Sequence, residues 1–163
     1  MQVSEIKFLH YDILPRYIFI LAFIKVYHSD EWLRTRKEYN MGKKLMIVDD
    51  DPDILIAIRR IFEKEGFEVL TVDSGKDCLY ELEKGFKGVI LMDIMMPFMD
   101  GWDTIKEIVE KGFAPKVTIS IVTAIGTPRH EKINGLENYI HDYIAKPFDV
   151  KQLISNVKNS IAM

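Results

Sequence analysis

The chain has a single cysteine, Cys78, among 163 residues, so no internal disulfide can staple it. A reducing, cytoplasmic setting fits that usage. Charge of one sign is also lacking: the formal net charge of -3 gives no general pull toward nucleic acid. No internal repeat and no Ser/Pro-rich low-complexity stretch occurs. Long apolar runs are missing as well. The strongest, Tyr17–Tyr27 "YIFILAFIKVY", falls short of the ~20 residues a membrane span needs and contains Lys25. Glu5 and Asp12 precede it and no small-x-small cleavage site follows, against a secretory signal. No stable membrane insertion is expected.

What is present begins in earnest at Met41-Gly42-Lys43-Lys44, which stands directly before a strong strand and reads as a natural start. Residues 1–40 then form an N-terminal extension. An upstream translation is preferred for it over an amphipathic helix for a membrane or a partner. Residues 41–163 form the folded domain.

From Met41 onward, apolar strands alternate with helical periodicity. "LMIV" at 45–48 is a continuous apolar strand. Asp51 before Pro52 caps a helix in which Ile54, Leu55, Ile58, Ile61 and Phe62 recur, ending at Gly66. "EVLTV" at 68–72 is the second strand, and Ser74–Asp77 opens a helix with Cys78, Leu79 and Leu82 inward. "VILM" at 89–92 leads to a helix marked by Trp102, Ile105, Ile108 and Val109. "VTISIV" at 117–122 is the fourth strand, a weaker helix spans about His130–Tyr139, and "DYIA" at 142–145 is a short fifth strand. Val150, Leu153, Ile154, Val157 and Ile161 place the last helix.

Five strand–helix units in succession, with strands apolar on both faces, predict an α/β domain: a parallel sheet covered by helices on both sides, a three-layer doubly wound fold. Right-handed crossovers put the C-terminal ends of all strands on one edge, where such sheets bind ligands. The residues at those ends are Asp49-Asp50-Asp51, Asp93, Thr123-Ala124 and Lys146-Pro147. Each alone has an ordinary explanation as a cap, a turn or a solvated charge, and Asp51 is kept as a cap. Together they are a cluster. Crowded carboxylates raise one another's pKa unless a cation intervenes. Mg²⁺ suits them, since it takes oxygen ligands and retains waters and phosphate oxygens. A carboxylate at the metal's edge can attack a phosphoryl group, with the Lys146 ammonium and the Thr123 hydroxyl compensating charge.

At these residues the chain resembles the receiver domain of two-component response regulators. The phrases "LMIVDDDPDI", "VILMDIMMPFMDGWD", "SIVTA" and "DYIAKPF" carry the likeness, in the right order, from about Lys44 to Ser160. The resemblance implies a flavodoxin-like five-stranded sheet in the order 2-1-3-4-5, like that of the chemotaxis regulator. It implies that Asp93 accepts the phosphoryl group, Asp50 ligates Mg²⁺ directly, Asp49 ligates it through water, and the Met95 carbonyl is a further ligand. Thr123 would bind a phosphoryl oxygen, Lys146 would pair with it, Lys146–Pro147 would be cis, and Tyr143 would be the switch aromatic that turns inward as Thr123 closes.

The implied partner upstream is a histidine kinase or phosphotransfer protein. Downstream, the face of the fourth helix, fifth strand and last helix would meet an output partner. The last helix ends close to Met163, so that partner is expected in trans, with no nucleic acid involved. Two departures stand out. Asn138–His141 lacks the glycine the family often has there. Met95 and Ile125, at positions that tune phosphoryl lifetime in the family, are both apolar, which predicts hydrolysis slower than seconds. The competing class is an enzyme: Asp49-x-Asp51 also has the spacing of haloacid-dehalogenase-like phosphatases, with Asp49 as nucleophile, although their later acidic pair is missing. A flavodoxin-like FMN carrier lacks its phosphate loop here, and an unphosphorylated scaffold leaves the whole cluster unexplained.

Overall fold

The computed structural model describes residues 43–124 and 135–161. The extension at 1–40, Ile125 and the first half of the helix expected over His130–Tyr139 lie outside the described residues.

The elements are β1 (Lys44–Val48), α1 (Pro52–Lys64), β2 (Glu68–Val72), α2 (Gly75–Glu83), β3 (Gly88–Met92), α3 (Gly101–Glu110), β4 (Val117–Thr123), β5 (Ile140–Ala145) and α4 (Val150–Ile161). Short 3₁₀ turns occupy Ala114–Lys116 and Glu137–Tyr139. The second is what the described part of the expected helix before β5 becomes.

All strands pair in parallel, in the order β2-β1-β3-β4-β5. The expected fold is therefore the observed one. The alternation of side chains along each strand divides the core in two. Met46, Val48, Ile90, Met92, Ile119 and Ile121 point to one face, under Cys78 and Leu82 of α2 and Ile105 and Ile108 of α3. Leu45, Ile47, Val89, Leu91, Val122 and Ile144 point to the other, under Ile58 and Phe62 of α1 and Leu153 and Val157 of α4. This is why the central strands read as unbroken apolar runs: both faces are covered.

Local chemistry sets the helix starts at the functional edge. Asp51 caps α1, accepting from the N–H groups of Asp53 at 2.9 Å and Ile54 at 3.4 Å. Pro52 follows in the first turn, where a missing N–H costs nothing. Asp100 caps α3 by accepting from Asp103 N–H at 2.9 Å. Gly101 is required by a close approach: a Cβ there would lie 2.3 Å from the Asp93 carbonyl oxygen. β5 begins two residues earlier than its sequence pattern, and its pairing with β4 slips between Ile119 and Ser120. His141 is the extra residue of that bulge, in the stretch where the usual glycine is missing.

Candidate phosphoacceptor site

Parallel register builds the site. Val48 pairs with Met92, so the next residues, Asp49 and Asp93, leave the sheet side by side. The ladder extends into both: Asp93 N–H donates to the Val48 carbonyl at 2.8 Å, and Asp49 N–H to the Val72 carbonyl at 3.3 Å. On the other side Thr123 pairs with Ala145, and Lys146 N–H donates to the Thr123 carbonyl at 2.8 Å. Four strand ends thus deliver their side chains to one crevice.

Two of the carboxylates are buried, Asp49 at 3% and Asp93 at 6% exposure, and the Thr123 side chain is buried beside them at 7%. Isolated buried carboxylates would be very costly. Here each is held at both oxygens. Asp49 Oδ1 accepts from Asp51 N–H at 3.0 Å and Asp93 Oδ1 from Met95 N–H at 3.0 Å. The Lys146 ammonium bridges the remaining pair, 2.5 Å from Asp49 Oδ2 and 2.7 Å from Asp93 Oδ2. Asp50 is exposed, yet its carboxylate lies with theirs: ligand oxygens of Asp49, Asp50 and Asp93 all fall within 4.8 Å of one another.

The electrostatics are those of an undercompensated acidic pocket. Burial pushes the Asp49 carboxyl up, the Lys146 ammonium and the Asp51 N–H pull it back, Asp93 adds an upward push, and the net direction is up. Burial alone would lower the Lys146 ammonium, but its bonds to Asp49 and Asp93 outweigh that and raise it. Three carboxylates facing one ammonium leave two negative charges unmatched when all are ionised. An oxygen-liganded divalent cation fits that donor set.

The structure therefore brings Asp49, Asp50, Asp93, Met95, Thr123 and Lys146 to one edge. Lys146–Pro147 is cis. Tyr143 stands apart from the crevice on β5, 43% exposed, with its phenol raised by partial burial and by Glu137. Two residues after β3, one at the start of α3 and one in the loop before it, carry structural roles not read from the sequence. Gly101 was signalled by the Asp100-Gly101 pair. Phe98, with a φ of 67°, had no signal at all.

A doubly wound sheet with an acidic triplet, a lysine and a threonine at its switch edge defines an α/β protein that handles a charged ligand at its strand ends. The response regulator receiver domain family matches residues 45–158, and the chain belongs to it. A CheY-like receiver domain protein from Methanospirillum hungatei JF-1 is 43% identical, with a TM-score of 0.69, over 74% of this chain and 95% of that one. TrrA from Thermotoga maritima, solved in complex with Mg(2+)-BeF, is 26% identical with a TM-score of 0.62, over 72% of this chain and 98% of that one. The Transcriptional regulatory protein CpxR homolog of Haemophilus influenzae is 35% identical over 115 residues, 71% of this chain and 48% of that protein. The chain spans about half the length of the curated relatives it matches.

Receiver domains are phosphoacceptor switches of two-component signalling, not turnover enzymes, and they work with histidine kinases and output partners. They generally bind Mg²⁺ at an acidic pocket. The reading as a phosphatase with Asp49 as nucleophile gives way to this membership. Relatives that match are named as transcriptional regulators, which conflicts with the expectation of no nucleic acid. Among the described residues no helix is long and apolar enough to cross a membrane.

Proposed function

We propose that this chain is a cytoplasmic receiver module in which Asp93 takes a phosphoryl group from a protein phosphohistidine. The observation that carries the proposal is the Lys146 ammonium lying between Asp49 and Asp93 in a pocket of three carboxylates. Asp49, Asp50, Asp93 and the Met95 carbonyl would hold Mg²⁺, which when bound draws charge from phosphoryl oxygens. Asp93 Oδ2 attacks phosphorus in line. The P–N bond to the donor imidazole breaks, its electrons stay on the imidazole, and an aspartyl phosphate forms. Lys146 then gives up its contact with Asp93 Oδ2 and pairs with a phosphoryl oxygen. Thr123, whose buried hydroxyl is on the neighbouring strand end, donates to another.

Closing Thr123 onto that oxygen vacates space behind it. Tyr143, two residues before Ala145, the register partner of Thr123, turns inward to take it up. The signal leaves through the face that includes β5 and α4. A bias of a few kcal/mol inverts such a two-state equilibrium. Met95 is apolar and 59% exposed at the mouth, so it does not orient an attacking water, and the aspartyl phosphate outlasts seconds.

The test is incubation with Mg²⁺ and acetyl phosphate followed by intact mass measurement. A single phosphoryl gain that vanishes in Asp93→Asn is expected. Retention of the gain in Asp93→Asn overturns the assignment, and a half-life of seconds overturns the prediction for Met95.

A further inference from the structure

The loop from Asp93 to Gly101 is pinned by burial of Ile94 and Met96, while Met95 and Phe98 are turned out to solvent. Phe98 is fully exposed. Its φ of 67° is a left-handed conformation that glycine and asparagine adopt far more readily than an aromatic residue. It is the centre of a γ-turn, with Met99 N–H donating to the Pro97 carbonyl at 2.8 Å. A γ-turn with positive central φ is rare and strained. The ring thus adds no burial to the core, and its backbone opposes the fold. Neither local conformation nor packing calls for phenylalanine here.

We propose that Phe98, with Met95 beside it, is a recognition residue for the phosphohistidine protein that phosphorylates Asp93. The inference rests on Asp93 being the acceptor. Asp93 is nearly buried, and an imidazole side chain is short, so the donor's own surface must come down onto the mouth of the crevice. The loop that leaves Asp93 carries Met95, whose N–H is bonded to the acceptor, and Phe98, three residues further on, the large exposed apolar side chains that follow the acceptor most closely in the chain. Apolar contact at this rim complements the charged centre, and a preplaced aromatic is an efficient anchor. Acetyl phosphate, with no surface of its own, reaches Asp93 without covering the rim.

The experiment compares the wild type, Phe98→Asn and Phe98→Leu with two donors. One is acetyl phosphate. The other is whichever autophosphorylated histidine-kinase core, from a panel, labels the wild type fastest. Asparagine tolerates positive φ, so Phe98→Asn keeps the fold and melts no lower than the wild type. Its rate with acetyl phosphate is expected to stay within about twofold. Its kcat/KM with the kinase core is expected to fall about tenfold or more, chiefly through KM, with Phe98→Leu between. Equal transfer from the kinase core to all three proteins overturns the proposal. So does a Phe98→Asn variant that only changes the oligomeric state in light scattering, which would make the ring a contact between copies. A wild type that accepts from neither donor removes the acceptor reading on which the inference stands, and is a different failure.

Discussion

The β1–β3 and β4–β5 halves of the sheet are held very differently. At the β1–β3 end, both oxygens of Asp49 and of Asp93 are engaged and both side chains are almost completely buried. In the β4–β5 half, the strand pairing slips at a bulge near the start of β5, away from the functional edge, the chain enters β5 through a 3₁₀ turn, and Tyr143 is 43% exposed. The first half is held in one hydrogen-bonded arrangement. The second has slack. A switch needs both: a fixed acceptor so that chemistry finds its geometry, and a movable neighbour so that the chemistry has a consequence.

The sharpest way to break this contrast is at Lys146, which belongs to both halves. Lys146→Ala removes the cation that bridges the buried pair and the group meant for the phosphoryl oxygen. Loss of one preorganised donor of this kind costs about 10²-fold in rate. Acetyl phosphate labelling of Lys146→Ala should slow by at least that factor. A loss under about tenfold would mean that the fixed half does not depend on this bridge.

Next in size is the response to metal. Mg²⁺ at a hundred times its dissociation constant should stabilise the protein by about 2.7 kcal/mol, read as a rise in melting temperature. Asp49→Asn should abolish most of that rise while making the metal-free protein more stable than the wild type. The sign follows from the direction of the Asp49 shift. A carboxyl raised by burial favours folding in its protonated form, so its contribution is lost as pH climbs past the ordinary carboxylate range. A neutral amide avoids that loss. Asp49→Asn that is less stable without metal would show that the Lys146 bridge outweighs the crowding. In the other half, Thr123→Ala should slow labelling about tenfold, near 1.4 kcal/mol. It should also uncouple Tyr143, seen as an unchanged resonance of 3-fluorotyrosine at that position on phosphorylation.

The same contrast explains what the sequence made legible. The fixed half was readable because burial and charge conflict there. An apolar strand ending in Asp93 has few solutions, and Lys146 at the end of β5, bridging Asp93 to Asp49 at the end of the adjacent β1, supplies one. The sheet order was legible only through family likeness, because five parallel strands with right-handed crossovers admit several orders. In the movable half the pattern was misleading. Ile140 and His141 do not fit an alternating strand beginning at Asp142, because the bulge at His141 changes which face each residue takes. The helix expected before β5 shows, in its described part, only a turn. Phe98 was illegible for a different reason: its backbone conformation comes from the loop that carries Asp93, not from its own preference.

The smallest expected effect tests whether the β4–β5 half is slack in its interior as well as at its surface. Ser120 lies in the middle of β4, opposite Leu91 on one side and Asp142 on the other. It is 1% exposed, and its Oγ makes no hydrogen bond among the described residues. Asp142 is already committed, accepting from Asn156 of α4 at 2.6 Å and from Tyr143 N–H at 2.8 Å. A buried hydroxyl without a partner costs about 1–3 kcal/mol, of which truncation recovers part. Ser120→Ala should therefore stabilise the protein by about 1 kcal/mol in urea unfolding, with an unchanged m-value, where most core truncations destabilise. Loss of stability instead would mean that the hydroxyl has a partner, and that β4 and β5 are tied together as tightly as β1 and β3. Slack would then be confined to the exposed side of β5, and the motion of Tyr143 would have to occur without any shift of the strands beneath it.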